Sequence, residues 1–234
     1  DKLRRFVSDA GHELRTPLAS VRGYAELMRR GAASDPEAAA QAAARIEAAA
    51  SRMGLLVEDL LLLASLDEER PLQQERLDVA ALVQDAVDEV ASTGPDHTWS
   101  SDPAGDGPLT VVGDPTRLHQ AVANLLVNAR AHTPAGSTVT AAVGREDRPA
   151  GAVVWVEVRD DGPGFAEDLL PRATERFARG DYSRSRATGG SGLGLAIVKA
   201  VVEAHDGTLT VSNAEPGPGA VVRIELPAAP SRSD

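Results

Sequence analysis

Apolar residues recur at alternating intervals of four and three positions through the first 70 residues. This heptad spacing predicts two long helices that pack against other helices. Gly31 ends the first helix, and Ser34-Asp35-Pro36-Glu37 begins the second with a capping residue and an early proline. The first stripe comprises Leu3, Val7, Ala10, Leu14, Val21, Tyr24 and Met28, with Pro17 in the seam, and the second comprises Ile46, Ala50, Met53, Val57, Leu60 and Ala64.

Two helices with one apolar stripe each cannot enclose a core by themselves. Pairing two copies of this helical hairpin as a four-helix bundle is the simplest way to bury both stripes, so the pattern predicts a homodimer. The alternative is that the hairpin docks on the C-terminal domain of its own chain.

From Leu72 onward the periodicity changes to that of a mixed α/β sandwich without regular β-α-β alternation. We predict helices over Val79–Val90 and from Asp114-Pro115 to His132, with a loop between them from Ala91 to Pro108. The predicted domains are a helical hairpin at residues 1–70, an α/β domain at 71–229 and a tail at 230–234. The predicted strands are Leu109–Val112, Val139–Val143, Val153–Val158, and a closing hairpin of Thr208–Ser212 and Ala220–Leu226.

Composition narrows the possible functions. The formal net charge of −11 argues against a nucleic-acid-binding surface, and the absence of cysteine excludes disulfides, zinc-thiolate sites and thiol nucleophiles. The longest apolar run, at Leu60–Ala64, is far shorter than the about 20 residues of a membrane helix. We therefore expect a cytoplasmic fragment of a longer protein that makes no membrane contact itself.

His12 is the first candidate for chemistry. Heptad counting places it at the outermost position of the first helix, with Glu13 beside it and Thr16 one turn later. A carboxylate beside an exposed imidazole can fix its tautomer and leave one ring nitrogen basic, which suits a nucleophile. An ordinary surface histidine is the alternative on spacing alone, but Pro17, which is costly inside a helix, points to a functional segment.

The segment His12-Glu-Leu-Arg-Thr-Pro-Leu18, preceded by Phe6, resembles the H-box of sensor histidine kinases of two-component systems. The resemblance implies that His12 accepts a phosphoryl group, that Glu13 is the acid/base that activates the ring, and that Thr16 positions water for dephosphorylation of the partner. Gly11 stands where serine is usual, and a helical glycine costs about 1 kcal/mol relative to alanine.

Three further segments have the chemistry of a nucleotide site. Asn124 and Asn128 lie one turn apart on an apolar helix and could offer oxygens to Mg²⁺. Asp160-Asp161-Gly162-Pro163-Gly164 follows a strand, where a carboxylate can accept a hydrogen bond from an amine. Gly189–Leu195 is rich in glycine and precedes a helix, a context that suits phosphates, although it is not a Walker A motif. Taken singly, each could be a cap, a turn or a solvated loop.

A fourth, basic and polar segment, Arg176–Asp181 with Ser183–Arg186, lies between the last two and could be a mobile lid or simply a solvated loop. In chain order the four segments resemble the N, G1, F and G2 boxes of the Bergerat-fold ATP-binding domain of histidine kinases. The resemblance implies that Asn128 holds Mg²⁺, with Asn124 beside it, and that Asp160 binds the adenine amine. Ala131 replaces a usual Lys or Arg, so whether Arg130 or His132 reaches the phosphates stays open. The remaining implied ATP contacts are Gly162 and Gly164 at the base, Gly190, Gly192, Leu193 and Gly194 at the phosphates, and Arg179 on a lid.

The resemblance as a whole implies an ATP- and Mg²⁺-dependent protein-histidine kinase that phosphorylates His12 and transfers the phosphoryl group to an aspartate in the receiver domain of a response regulator. It also implies a full-length protein anchored in the inner membrane. Two rival classes are a non-phosphorylating ATPase and a catalytically silent dimeric scaffold. The signal, the cognate regulator, the kinase–phosphatase balance and the choice between cis and trans phosphorylation are not encoded in these residues.

Overall fold

The computed structural model describes residues 2–30, 35–67, 72–104, 107–149, 151–178 and 191–230. These form two compact units, residues 1–67 and residues 68–234. The predicted domain boundary at 70/71 and most of the predicted tail at 230–234 lie outside the described residues.

The first unit is a pair of packed helices, as the heptad pattern predicts. Helix α1 spans Lys2–Arg29 and continues through Pro17, and helix α2 spans Pro36–Asp67. The cap of α2 is Asp35, whose Oδ1 accepts the backbone N–H of Glu37 at 3.0 Å, with proline in the first helical position. The predicted cap Ser34 lies outside the described residues.

The stripe on α2 that packs inside the hairpin differs from the predicted one. Its buried residues are Ala42, Leu56 and Leu63, whereas Val57 of the predicted stripe is exposed. Helix α2 is apolar over more of its circumference than a single stripe, so one side packs against α1 and another stays uncovered in the single chain. Val57 is therefore not covered within the hairpin, and its burial by a second copy in a four-helix bundle stays a prediction.

The second unit is an α/β sandwich. Its main sheet has five strands in the order β2-β4-β5-β7-β6, in which only β2 and β4 are parallel, and β1 and β3 form a separate antiparallel pair. The predicted mixed strand order is thus confirmed. The strands are β1 Glu75–Asp78, β2 Thr98–Ala104, β3 Thr110–Gly113, β4 Thr138–Glu146, β5 Val153–Asp160, β6 Thr208–Asn213 and β7 Ala220–Pro227.

Strand β2 corrects the prediction of a loop from Ala91 to Pro108. The segment is rich in Ser, Asp and Pro and does not alternate between apolar and polar residues, so no local pattern announces a strand. It is nevertheless an edge strand, paired in register from Thr98↔Thr138 to Ala104↔Gly144. Pro103 is tolerated there because an edge strand leaves one row of backbone groups unpaired.

Three helices cover one face of this sheet and bury its alternate apolar residues. Asp78 and Asp114 cap α3 and α4 with their side chains, and Pro115 begins α4. His205, buried after α5, accepts the N–H of Asp114 on Nε2 at 2.9 Å and donates from Nδ1 to the Val201 carbonyl at 2.7 Å. The helices are α3 Val79–Thr93, α4 Pro115–His132 and α5 Gly194–Ala204, with a short 3₁₀ helix at Leu170–Arg172.

Candidate functional sites in the two units

In the first unit, His12 lies on α1 and is exposed, the position that heptad counting predicts. Arg15 Nη1 lies 3.2 Å from His12 Nδ1. A guanidinium group only donates hydrogen bonds, so Nδ1 is the acceptor here and the neutral ring carries its proton on Nε2. Thr16 is exposed one turn later, while Glu13 is half-buried. The ring therefore meets solvent with one nitrogen engaged by a cation.

In the second unit, Asp160 ends the central strand β5 and its side chain is buried. Its Oδ1 accepts two backbone N–H groups, from Gly162 at 2.9 Å and from Ala220 at 3.2 Å. These two bonds leave Oδ2 available to accept a hydrogen bond from a ligand. A buried carboxylate held in this way is a specific acceptor for an amine, because its geometry is set before the ligand arrives.

The surroundings of Asp160 make ionisation of its carboxyl less favourable than that of an exposed carboxyl. Burial raises the pKa of the Asp160 carboxyl above its ordinary value, and the neighbouring carboxylate of Asp161 acts in the same direction. The N–H groups of Ala220 and Gly162 and the nearby imidazole of His132 lower this pKa and offset part of the shift. The carboxylate thus sits where an additional donor would be favourable.

Glycines let the backbone after Asp160 pass close to its neighbours. A Cβ on Gly162 would lie 2.5 Å from Thr133 Cγ2, and Gly164 has φ +75° with Asn213 Oδ1 only 2.7 Å from where its Cβ would be. Gly219 leaves room for the Asp160 carbonyl, which a Cβ there would overlap. Side chains at 162 and 164 are excluded by the protein itself, so the predicted base-pocket glycines have a structural reason in this chain.

Helix α4 carries both predicted asparagines, and each is half-buried. Asn124 Nδ2 is buried and has no hydrogen-bond partner among the described residues. A buried donor without a partner is costly, and a phosphate oxygen or a metal-bound water would satisfy it. Asn128 and His132 follow at intervals of four, so all three side chains project from one side of the helix.

Arg130 points away from that side. Its Nη1 donates to Thr93 Oγ1 at 2.8 Å, at the end of α3, and its side chain packs over Gly94. His132 is exposed and close enough to Asp160 to lower the pKa of that carboxyl. Of the two residues that the sequence left open, the structure therefore places His132, and not Arg130, on the side of Asp160.

The start of α5 follows the glycine-rich segment, as predicted. Gly192 has φ +74°, and its carbonyl accepts the N–H of Phe177 at 2.9 Å. Leu193 is fully buried, so its side chain belongs to the core and only its backbone could face a ligand. A Cβ on Gly194 would meet open space within 4 Å, and no side chain caps the first turn of α5. Arg179 and Gly190 lie outside the described residues.

Four residues at the Asp160 site were missed by sequence reasoning. They come from segments that are 27 to 60 positions away from Asp160 in the chain. Gly217 and Gly219 in a Pro-Gly-Pro-Gly turn were a visible signal of unusual backbone, but nothing local connects that turn to Asp160. The four are Thr133 at the end of α4, Asn213 at the end of β6, and Gly219 and Ala220 at the start of β7.

Two family models match this chain, one in each unit. Residues 2–69 match the His Kinase A (phospho-acceptor) domain, and residues 113–230 match the histidine kinase-, DNA gyrase B- and HSP90-like ATPase family. The first match contains His12, and the second contains Asn124, Asn128 and Asp160.

Individual proteins agree with these models. The "Probable sensor histidine kinase TcrY" of Mycobacterium tuberculosis is 50% identical over 224 residues, which are 96% of this chain and 46% of that protein. The solved mycobacterial sensor histidine kinase MprB is 32% identical with a TM-score of 0.57, over 68% of this chain and 99% of that one. Histidine kinase ThkA in complex with the response regulator protein TrrA, at 20% identity and a TM-score of 0.75, covers 97% of this chain and 62% of that one and shares its fold.

The chain spans less than half the length of TcrY. Among the described residues, no helix is long and apolar enough to cross a membrane. The two family models, their order and the identity to TcrY agree with the fold of each unit. The chain therefore belongs to the sensor histidine kinases of two-component systems, with a phosphoacceptor domain followed by an ATPase domain.

Proposed function

We propose that this chain uses ATP to phosphorylate His12 and passes the phosphoryl group to an aspartate of a response regulator. The observation that carries the proposal is the buried Asp160 carboxylate, preset by two backbone N–H groups, in the same chain as an exposed histidine in a phosphoacceptor domain. Family membership supports the order of events, in which the ATPase domain binds nucleotide and the phosphoacceptor domain receives the phosphoryl group.

At the base end of the nucleotide, Asp160 Oδ2 accepts a hydrogen bond from the adenine amine. Gly162 and Gly164, which let the loop after Asp160 pass close to Thr133 and Asn213, are the proposed residues at the base, and His132 lies on the same side as Asp160. At the phosphate end, the unpartnered Asn124 Nδ2 donates to a phosphate oxygen or a metal-bound water. The backbone around Gly192 and Gly194 completes this end, and the family resemblance adds Gly190 and Arg179 as further proposed phosphate contacts.

Asn128 is the proposed protein ligand of Mg²⁺. Mg²⁺ prefers oxygen ligands and keeps several waters, so one amide oxygen with phosphates and water is a sufficient protein contribution. Asn124, one turn earlier, presents a nitrogen and fits a water or phosphate better than the ion itself. When bound, the metal neutralises phosphate charge during transfer.

At the acceptor, one imidazole nitrogen of His12 attacks the γ-phosphorus, the bond to the ADP oxygen breaks, and ADP leaves. The attacking nitrogen needs a free lone pair, yet the Nδ1 lone pair is occupied by Arg15 and Nε2 carries the proton. Glu13, the next residue in the chain, is the proposed base that takes or shifts that proton. Thr16, exposed on the next turn, is the proposed residue that positions water for dephosphorylation of the response regulator, in which the phosphoryl group passes to water.

The proposed partners are a second copy of this chain and a receiver domain. Uncovered apolar side chains on both hairpin helices support self-association, with Leu18 and Leu61 both more than half exposed in the single chain. ThkA is solved with its response regulator, which supports a receiver domain as the phosphoryl acceptor here. We also propose that the full-length protein is a membrane-anchored sensor with this segment in the cytoplasm, as its relatives' names as sensors support.

The test is radiolabelling from γ-³²P ATP with wild type and His12→Gln. Wild type should acquire label that is stable in base and labile in acid, and H12Q should acquire none while still binding Mg-ADP. Full labelling of H12Q would remove His12 as the acceptor. ATP hydrolysis without any phosphoprotein would instead favour a non-phosphorylating ATPase, and failure of wild type to bind Mg-ADP would favour a silent scaffold.

A further inference from the structure

The side chain of Asn213, the last residue of β6, forms hydrogen bonds with both the N–H and the carbonyl of Phe165. Its Oδ1 accepts the Phe165 N–H at 2.7 Å, and its Nδ2 donates to the Phe165 carbonyl at 2.9 Å. The two residues are 48 positions apart in the chain. An amide that pairs with both backbone groups of one residue acts like a short piece of a neighbouring strand, and it restrains that residue in position and orientation.

The close approach of the Asn213 side chain to this segment requires a glycine at the position immediately before Phe165. A Cβ at position 164 would lie 2.7 Å from Asn213 Oδ1 and 2.9 Å from the Gly219 carbonyl oxygen. Gly164 also has φ +75°, a conformation that side chains disfavour. The loop therefore passes close to the Asn213 amide, and the lack of a side chain at Gly164 leaves room for that amide.

One rung of the β6–β7 hairpin holds both ends of this loop. Asn213 pairs with Ala220 in the hairpin register, and the Ala220 N–H donates to Asp160 Oδ1. Ala220 thus holds the first residue of the 160–165 loop, and the Asn213 side chain holds the last. The same loop has Gly162 against Thr133 in its middle.

We propose that Asn213 is a positioning residue for the nucleotide: it fixes the exit of the 160–165 loop so that Asp160 and the glycines keep the shape that receives the adenine ring. This rests on the proposed function of the Asp160 site. Asn213 acts through the Phe165 backbone and does not itself touch the nucleotide. Its loss should weaken binding of nucleotide much more than it slows phosphoryl transfer once nucleotide is bound.

The experiment compares wild type with Asn213→Ala, Asn213→Asp and the control Thr210→Ala, an exposed residue of the same edge strand. Calorimetry gives the Kd for Mg-ADP, and initial labelling rates give KM for ATP and kcat. We expect N213A to raise Kd and KM about tenfold, as loss of two hydrogen bonds of ordinary strength would do, with kcat within about twofold. T210A should match wild type.

N213D separates the hydrogen bonds from mere shape. It keeps the size of the side chain and the acceptor for the Phe165 N–H but replaces the donor with an oxygen that faces the Phe165 carbonyl. We expect N213D to bind nucleotide about as weakly as N213A. Wild-type affinity in N213A or in N213D would overturn the proposal, and so would an equal loss in kcat.

The proposed function fails in a different way. If wild type itself does not bind Mg-ADP, the Asp160 site is not a nucleotide site and the role of Asn213 falls with it. If wild type binds and both Asn213 variants bind equally well, the nucleotide site stands and only the positioning role is lost. Thermal unfolding followed by tryptophan fluorescence identifies any variant that does not fold, because Trp99 and Trp155 both lie in the second unit.

Discussion

The helical hairpin and the α/β unit solve the problem of burying apolar surface in different ways. Of the 37 buried apolar residues described, only four lie in the hairpin, and the other 33 lie in the α/β unit. Conversely, five of the seven large apolar residues described as exposed lie in the hairpin: Leu18, Leu27, Leu55, Val57 and Leu61. The α/β unit buries its apolar residues within a single chain, while the hairpin leaves large apolar side chains of both helices uncovered.

The difference matches the chemistry assigned to each unit. A nucleotide site depends on a rigid frame, and the α/β unit supplies one through a buried sheet and the hydrogen bonds that Asp160 accepts from Gly162 and from Ala220 of β7. A phosphoacceptor must be reached by other domains, and His12 lies exposed on a long helix. Substitutions in the two units test this contrast, beginning with the largest expected effect.

Charges on the uncovered side of α2 should abolish self-association. The double variant Val57→Glu and Leu61→Glu places two carboxylates one turn apart on residues that are 43% and 65% exposed in the single chain. Burying two unpaired charges costs several kcal/mol, so the dimer should dissociate at least 100-fold more readily, by about 3 kcal/mol or more. Sedimentation velocity over a concentration series measures this.

The matched control is Val127→Glu, which charges an exposed apolar residue of the α/β unit that is 42% exposed. It should leave the sedimentation profile unchanged. If V57E/L61E also stays dimeric, the uncovered face of α2 is not the interface. If wild type is monomeric at every concentration, the hairpin does not pair at all.

A core truncation in the α/β unit should be costly and independent of concentration. Leu126 is fully buried, so Leu126→Ala should destabilise this unit by about 2–5 kcal/mol through lost contacts and a residual cavity. Urea unfolding followed by tryptophan fluorescence reports on this unit alone, since both tryptophans lie there. Leu61→Ala should not move that transition, but it should lower a helical circular-dichroism transition that shifts with protein concentration.

Asp160→Asn should weaken nucleotide binding and stabilise the nucleotide-free protein. Asparagine keeps an oxygen for the Gly162 and Ala220 N–H groups but replaces Oδ2 with a donor facing the adenine amine. A hydrogen bond to a charged group contributes about 1.5–3 kcal/mol, so Mg-ADP affinity should fall roughly 10- to 100-fold. Calorimetry measures the loss, and a D160N variant that binds like wild type would contradict the assignment.

The pH dependence of both stability and nucleotide affinity follows from the raised pKa of Asp160. The Asp160 carboxyl binds its proton more tightly in the folded protein than in the unfolded chain. The ionised carboxylate therefore lowers the stability of the folded protein at pH values above the folded pKa. As the pH falls through that pKa, protonation of Asp160 removes this destabilisation. D160N should therefore raise the thermal midpoint of the nucleotide-free protein at neutral pH. Nucleotide affinity in wild type should weaken as pH falls through that raised pKa, because the protonated group no longer accepts through both oxygens.

The smallest effect is expected from Gly11→Ala in the hairpin. Gly11 lies inside α1, next to His12, and a Cβ there would meet nothing within 4 Å. Alanine should stabilise the helix by about 1 kcal/mol and raise the helical transition. Gly162→Ala is the contrasting change, because its Cβ would press on Thr133 and should weaken Mg-ADP binding. A destabilised G11A would show that flexibility beside His12 serves the fold.

Sequence reasoning was most successful where the relevant residues are neighbours in the chain. Both helices of the hairpin, the start of α4 at Asp114-Pro115 and the exposure of His12 follow from spacing within one or two helical turns. It was wrong for β2, which lacks an apolar alternation and becomes a strand only because β4 pairs with it. It did not predict which side of α2 packs against α1, because a helix with apolar residues around much of its circumference can pack on more than one side.

What the sequence determined by itself was the order of segments and the type of side chain at each site: His12 in a heptad, Asp160 at a strand end, and glycines where side chains are excluded. What only the tertiary structure decided was which distant residues complete the Asp160 site. Ala220, Asn213 and Thr133 meet it because strand register and helix packing bring them there. Such contacts depend on the relative position of elements far apart in the chain, and no local pattern carries that information.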